Sequence, residues 1–151
     1  MLSEEDIKTA ITKKFNFLAD KVKVVRPRRI SVEVEQDQFF GVLEYFITEL
    51  KFSRLCTITG LDEGERLSVI YHLAQDQSII MNLKMSVPKM RPAIKSVISY
   101  FPGAECYERE IVDLLGFQVE GLPVGSRYPL TDDWPKNEFP LRKDWKGVTW
   151  D

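Results

Sequence analysis

Four carboxylates within nine residues are the side chains of this sequence best suited to chemistry; they belong to Glu105, Glu108, Glu110 and Asp113. Helical spacing puts Glu110 and Asp113 one turn apart, where two carboxyl groups can serve as general acid and base. The same stretch also suits an internally paired, solvated helix face, because Glu105, Arg109 and Asp113 follow one another at i, i+4 spacing. Contacts with a partner protein are a third reading, and the spacing alone leaves all three open.

Other kinds of active site find little support. The single histidine, His72, falls in the middle of a predicted strand, where a structural role is the ordinary one. Cys56 and Cys106 lie far apart without CxxC spacing, so we expect buried free thiols and neither a disulfide framework nor a cysteine-based metal site. Residues 60–64 lack the Lys-Ser/Thr end of a phosphate-binding loop, and no G-x-G-x-x-G occurs. The sequence therefore predicts no metal or nucleotide site of its own.

Composition narrows the class of protein further. The chain has 151 residues, enough for one substantial core, and a formal net charge of -2. Without an excess of cations to neutralise phosphates, nucleic acid is not expected as a partner. No run of about 18 apolar residues occurs, and the acidic start is unlike a secretory signal. We therefore expect a cytosolic protein that is soluble by itself.

The first half of the chain shows clear helical and strand periods. Ser3 and the three acidic residues after it suit the start of a helix whose apolar positions recur to Leu18. Residues 22–24 and 30–34 alternate as strands do, with a turn at Pro27. Asp37 is then expected to cap a second helix, whose inner face carries Phe39, Leu43, Phe46 and Leu50.

Three further strands are predicted at residues 55–59, 67–73 and 78–87, with a hairpin connection at 60–66. The last strand alternates most clearly, because its odd-numbered residues from Ile79 to Val87 are apolar and most of the residues between them are polar. A sheet wetted on one side indicates the α+β class. The expected fold is a two-layer, mostly antiparallel sheet with helices on one face, followed by an extended irregular C-terminal tail.

A short helical pattern through Ile94, Val97 and Ile98 precedes a helix over residues 105–116, which Gly116 is expected to end. The periodic pattern stops there, so we divide the chain into an α+β core domain, 1–116, and a docking tail, 117–151. The tail contains all three tryptophans, at positions 134, 145 and 150. Disordered tails are normally poor in aromatics. This one is therefore expected to bury its indoles, and we predict that another polypeptide shelters them.

At these residues the sequence resembles a known family. Residues 108–116, Glu-Arg-Glu-Ile-Val-Asp-Leu-Leu-Gly, look like the E-R-E-x-x-D signature of the 30 kDa subunit family of proton-pumping NADH:quinone oxidoreductase, respiratory complex I. The family includes subunits of energy-converting membrane-bound nickel-iron hydrogenases, sulfane reductases and F420H2 dehydrogenases. Its next motifs match Asp-Asp-Trp at 132–134 and Pro-Leu-Arg-Lys-Asp at 140–144. A G-H-P-D-L-R-R segment keeps only the Gly, the Pro and one Arg, at 121–127.

The resemblance implies a noncatalytic assembly subunit in the peripheral arm of a membrane-bound, ion-translocating oxidoreductase. Its partners would be the hydrogenase-like large subunit and the small iron-sulfur subunit of the same complex. Iron-sulfur clusters, and in some members nickel-iron, would reside in those partners and none in this chain. The protein would then lie on the cytoplasmic side of the cell membrane, attached only through the complex.

The residues that the resemblance assigns to the partner interface belong to the matched motifs. They are Glu108, Arg109, Glu110, Asp113, Arg127, Asp133, Trp134, Pro140, Arg142, Lys143, Asp144 and Trp145. Internal pairing within this chain is the alternative role for the charged members. The shortness of the chain and the altered 121–127 segment favour the hydrogenase-like or other archaeal and anaerobic complexes. A different class of function, a free-standing small-molecule enzyme using Glu110 and Asp113, also stays open at this point.

Overall fold

The computed structural model describes residues 2–76 and 79–148. Its three α-helices are α1 (Glu4–Lys14), α2 (Phe39–Thr48) and α3 (Ala104–Leu115), and short 3-10 turns follow α1 and precede α2. The seven strands are β1 (Val22–Arg26), β2 (Arg29–Val34), β3 (Arg54–Asp62), β4 (Arg66–Ala74), β5 (Ile80–Pro88), β6 (Ala93–Lys95) and β7 (Gln118–Glu120). The α+β prediction is confirmed, since the main sheet is mostly antiparallel.

The main sheet has five strands in the order β1-β2-β5-β4-β3. β1 pairs with β2 in antiparallel register, whereas β2 pairs with β5 in parallel, from Arg29 opposite Ile80 to Val34 opposite Met85. The alternation predicted for β5 is confirmed, because Met81, Leu83, Met85 and Val87 are buried and the residues between them are partly exposed. The predicted start of that strand at Ser78 lies outside the described residues.

The chain divides into two compact units. The first unit comprises Met1–Thr57 and Val69–Ser86, and the second comprises Ile58–Ser68 and Val87–Asp151. These bounds differ from the boundary predicted at residue 116. That residues 117–151 act as a separate docking tail stays a prediction.

The first unit is built around an apolar core. In α1, Ser3 accepts a hydrogen bond from the Asp6 N–H and the Asp6 carboxylate accepts one from the Ser3 N–H, which forms a capping box. α2 buries the predicted face of Phe39, Leu43 and Phe46 completely. These side chains fill the core because their helical spacing puts them on one stripe. Asp37 does not cap α2, however; Gln38 precedes the helix, and Glu35 and Gln38 cap the 3-10 turn before it.

The structure differs from two local predictions in the second unit. The hairpin expected at 60–66 is shorter, because β3 continues to Asp62 and β4 starts at Arg66. Gly60 therefore lies inside β3, where a Cβ would collide with Leu115 of α3. The helix expected through residues 94–98 is replaced by β6, which pairs in parallel with β7. Strand pairing across 25 residues overrides the local helical spacing there.

Candidate functional site

α3 is the element around which the matched motifs assemble. It ends at Gly116, whose backbone is left-handed with φ 79°, and the Gly116 N–H bonds the Val112 carbonyl at 3.0 Å. A Cβ at this position would lie 2.6 Å from Phe139 and 2.8 Å from Arg142. Glycine is therefore required both by the turn and by the tail residues that close over it.

Glu108 is fully buried on α3 and holds the segment that precedes the helix. One carboxylate oxygen accepts the Val97 N–H at 2.7 Å, and the other accepts the Ser96 hydroxyl at 2.7 Å. Burial raises the pKa of Glu108, and the two hydrogen bonds oppose that rise. Its contacts thus lie within this chain, and the predicted contact with a partner stays a prediction.

Asp113 fixes the middle of the tail. Its two oxygens accept the Arg127 Nε–H at 3.1 Å and the Leu130 N–H at 2.8 Å. Arg127 in turn donates to the Trp134 carbonyl at 2.6 Å. The i, i+4 spacing suggested that Arg109 would pair with Asp113. In the structure Arg127, 14 residues further along the chain, binds Asp113.

Arg109 fixes the start of the tail. It pairs with Glu105 at 2.7 Å, as the i, i+4 spacing predicted, and the same Nη2 atom donates to the Pro123 carbonyl at 2.6 Å. The guanidinium packs directly on Gly125, where a Cβ would lie 2.7 Å from it. Arg109 is consequently mostly enclosed by its own chain, with a side chain that is 16% exposed.

The C-terminal end of α3 is completed by residues of the tail. The last carbonyls of a helix have no partner within the helix. Here the Leu141 N–H bonds the Leu114 carbonyl at 3.0 Å, and the Arg142 Nε–H bonds the Leu115 carbonyl at 2.7 Å. A cation at this position also interacts favourably with the helix dipole, and the Arg142 guanidinium lies 4.7 Å from the centre of the Phe139 ring.

A second anchor lies at the end of β3. Asp62 accepts hydrogen bonds from the Lys89 ammonium at 2.7 Å, the Lys143 N–H at 2.8 Å and the Gly64 N–H at 2.9 Å. Burial disfavours the charged form of Asp62, but these donors outweigh it and lower its pKa to about 2. Lys89 also pairs with Asp144 at 3.0 Å, and that bond lowers the pKa of Asp144.

Two of the tail indoles are organised by Glu138. The Trp134 Nε1–H donates to the Glu138 carbonyl oxygen and the Trp145 Nε1–H to its carboxylate, both at 2.8 Å. The rings lie 6.0 Å apart between centroids, and both are partly exposed. Their own chain therefore supplies part of the shelter, whereas the sequence analysis predicted that another polypeptide shelters them. The third indole, Trp150, lies outside the described residues.

The remaining predicted residues present their side chains differently. Glu110 is partly exposed and makes no hydrogen bond or ion pair within residues 2–76 and 79–148. Asp133 is exposed and accepts a hydrogen bond from the neighbouring Thr131 hydroxyl. Lys143 is exposed and uses only its backbone N–H in the anchor at Asp62, while Pro140 is partly exposed. The structure thus brings the motifs together around α3 without testing which of them meet a partner.

The arrangement does not resemble a general acid-base site, since both oxygens of Asp113 already accept hydrogen bonds. His72 bonds Asn82 at 2.8 Å on the neighbouring strand. Both cysteines are exposed, so the prediction of buried thiols is wrong. Cys56 lies on an edge strand and Cys106 on α3. Both positions are exposed, although cysteine is usually a buried residue type. In the described part of the chain, no group of three His, Cys, Asp or Glu is arranged to hold a metal ion.

Sequence reasoning missed the groups that receive or reinforce these bonds: Asp62, Lys89, Ser96 and Glu138. Asp62 and the Lys143 N–H that it accepts are 81 residues apart, so no local spacing signals the contact. A carboxylate at the end of a strand predicts nothing by itself. Only the fold shows that the tail returns to it.

Comparisons with known proteins agree with the motifs. A family described as respiratory-chain NADH dehydrogenase, 30 Kd subunit, matches residues 32–149. One of the F420H2 dehydrogenase subunits of Methanosarcina mazei is 35% identical over 141 residues, covering 91% of this chain and 89% of that protein. One of the NADH-quinone oxidoreductase subunits of Roseiflexus sp. strain RS-1 is 34% identical over 122 residues, covering 76% and 68%.

Solved structures show the same fold. A chain of the membrane-bound sulfane sulfur reductase, an archaeal respiratory membrane complex, superposes with a TM-score of 0.82 at 26% identity, covering 94% of this chain and 85% of that one. A trypsin-resistant fragment of Nqo5 has a TM-score of 0.63 at 22% identity, covering 80% and 98%, and shares the fold. None of the helices within residues 2–76 and 79–148 has the length and hydropathy needed to cross a membrane.

Proposed function

This chain belongs to the 30 kDa subunit family of respiratory-chain NADH dehydrogenase, and we propose that it serves as a noncatalytic subunit of a membrane-bound, ion-translocating oxidoreductase complex. The family assignment supports the proposal because relatives that match most of the chain are named as subunits of F420H2 dehydrogenase and NADH-quinone oxidoreductase. The role is to present a folded surface to other subunits.

The main structural observation behind the proposal is the set of contacts that the signature residues make within the chain. Glu108, Arg109 and Asp113 each bind backbone groups of their own chain or a side chain that does so. Long-range contacts of this kind determine the course of an irregular segment, whose backbone groups have few ladder partners of their own. The signature residues thus hold the tail in one defined conformation.

The alternative of a free-standing enzyme is not favoured. A general base needs an accessible lone pair within reach of substrate, and Asp113 is 7% exposed with both oxygens engaged. Glu110 would then have to act without the second carboxylate that the spacing offered.

The proposed partners are the hydrogenase-like large subunit and the small iron-sulfur subunit of the same complex. Iron-sulfur clusters, and nickel-iron in hydrogenase-type complexes, are assigned to those partners and no redox cofactor to this chain. The names of the relatives support membership of a multisubunit assembly, and the pairing with these two subunits is the finer part of the proposal.

We place the protein at the cytoplasmic side of the membrane, as a peripheral subunit held through the complex. Among the types of complex, the archaeal and anaerobic ones are favoured. The match with the Methanosarcina mazei protein over most of both chains and the likeness to the archaeal sulfane reductase chain support this choice.

The proposal is tested by tagging the chain in its native host and purifying it from solubilised membranes. Equimolar recovery with a large subunit and an iron-sulfur subunit is expected, together with oxidoreductase activity in the complex. The separately expressed chain is expected to show neither a visible absorption band nor turnover. A tagged chain that elutes alone as an active monomer would overturn the proposal.

A further inference from the structure

Once the internally engaged residues are set aside, one outward strip remains on α3 and the adjoining tail. We define the outer strip as Cys106, Glu110, Val124 and Tyr128. Cys106 and Glu110 are four residues apart on the helix and therefore lie on the same side. The Tyr128 phenol lines the same groove as Cys106.

The charge of the outer strip comes from Glu110. Glu110 has no counter-ion within the described residues, although it is partly withdrawn from solvent. Arg109 and Arg127, which lie beside the strip, are already paired with Glu105 and Asp113. A cation is therefore favoured at Glu110, because an opposite charge would compensate a carboxylate for which the described residues supply no counter-ion.

The strip also has apolar surface and borders an open groove. Val124 is fully exposed and Tyr128 is 46% exposed. An open groove of about 490 Å³ is lined by the start of α3 and residues 124–128, and three strip members line it. Tyrosine and arginine are enriched among the residues that contribute most to binding at protein interfaces.

The backbone that carries the strip is held in place before any partner arrives. Arg109 bonds the Pro123 carbonyl on one side of Val124, and Asp113 holds Arg127 and Leu130 on either side of Tyr128. Binding to a surface whose segments are already ordered loses less conformational entropy. Arg109 and Asp113 of the signature thus support this surface from within, whereas Glu110 of the same signature contributes its own side chain to it.

We infer that the outer strip is the surface that receives a basic, arginine- or lysine-bearing segment of a neighbouring subunit, with its cation at Glu110 and apolar contact at Val124 and Tyr128. The inference rests on the proposed function, since it presumes a neighbouring subunit. Of the predicted interface residues it keeps Glu110, and it adds the exposed residues Cys106, Val124 and Tyr128.

The two exposed cysteines provide a matched pair for the first test. Cys106 lies on the strip, and Cys56 lies on β3 in the first unit. Alkylation rates are measured for each thiol in the isolated chain and in the purified complex by mass spectrometry. We expect assembly to slow the alkylation of Cys106 at least tenfold. An unchanged Cys106 rate in the complex would overturn the inference, whatever Cys56 does.

The second test uses charge at Glu110. Glu110→Lys is expected to reduce recovery of the complex at least tenfold and Glu110→Gln by a smaller factor, while the isolated variants keep the wild-type melting temperature. Asp20→Lys, an equal charge change in an exposed turn of the first unit, is the control and is expected to assemble normally. Normal assembly of Glu110→Lys, or tighter assembly of Glu110→Gln, would exclude a basic occupant.

Failure of the proposed function gives a different result from failure of the outer-strip inference. If the wild-type chain recovers no other subunit, the proposed function falls and the inference with it. If the wild-type complex forms and the strip variants behave like wild type, the chain belongs to a complex and meets its neighbours through a different surface.

Discussion

The first unit and the second unit differ in how their backbone polar groups find hydrogen-bond partners. In the first, α1 and α2 bury regular apolar stripes, and the strands satisfy one another's backbone groups. In the second, residues 121–148 contain no strand or helix, and side chains of α3 and Asp62 take over that task. Backbone polar groups that cannot join a ladder must find another partner. An irregular tail of this kind is therefore only as ordered as the few carboxylates and arginines that bind it.

The largest effect is expected from the apolar side of this comparison. Phe46→Ala removes a fully buried ring from the first unit and should lower the free energy of unfolding by about 3–5 kcal/mol. Urea denaturation of the isolated chain measures it, with the partly exposed Ile47→Ala as the milder control. A loss below about 1 kcal/mol would mean that the apolar core of the first unit does not dominate its stability.

Asp113→Ala tests the polar side. Removing this acceptor leaves the Leu130 N–H and the Arg127 guanidinium without it, which should cost about 2 kcal/mol. Hydrogen exchange should accelerate over residues 127–134 while the protection of α2 stays unchanged. Asp133→Ala, at an exposed carboxylate in the same segment, serves as the control. Uniform acceleration in both units would show that the tail is not anchored separately.

Acid should weaken the anchor at Asp62. Because the folded pKa of Asp62 is lowered to about 2 from 3.8, its contribution is fully present above about pH 5 and is lost as the pH falls through 4 towards 2. The shift corresponds to at most about 2 kcal/mol. The stability difference between wild type and Asp62→Asn, measured by denaturation from pH 7 to pH 3, should therefore shrink with acid. A difference that is constant or grows would contradict the assignment.

The smallest effect is expected at the start of α1, where the bond is local. Ser3→Ala breaks the capping box with Asp6 and should cost about 1 kcal/mol. Hydrogen exchange should rise in the first turn of α1 alone. Ser53→Ala, at an exposed position between α2 and β3, is the matched control and should change little. Equal effects of the two changes would remove the cap as a source of stability.

The same contrast explains what could be predicted from the sequence. α1, α2, α3 and β5 follow from residues that repeat at 3.6 or 2 positions, and the pair of Glu105 with Arg109 follows from i, i+4 spacing. β6 could not be found in this way, because its strand conformation depends on pairing with β7 beyond α3. Likewise, no pattern near Asp113 indicates that its cation is Arg127.

The sequence singled out the motifs, but the different structural roles of the residues within them were not visible in it. Glu108 and Glu110 are both glutamates on one helix, yet one is fully buried and the other lies partly in solvent. Residues two apart lie on nearly opposite sides of a helix, so spacing separates the two glutamates but does not show which of them is buried. Burial of Glu108 depends on the loop at Ser96 and Val97 arriving over it, which is a tertiary event.

The parallel pairing of β2 with β5 has a consequence for synthesis of the chain. Arg29 emerges from the ribosome about fifty residues ahead of its partner Ile80. At typical rates of bacterial or archaeal translation this is a delay of roughly 3 to 10 s. During that interval one edge of β2 has no strand beside it, and an unpaired edge of this kind can pair with another chain until β5 arrives.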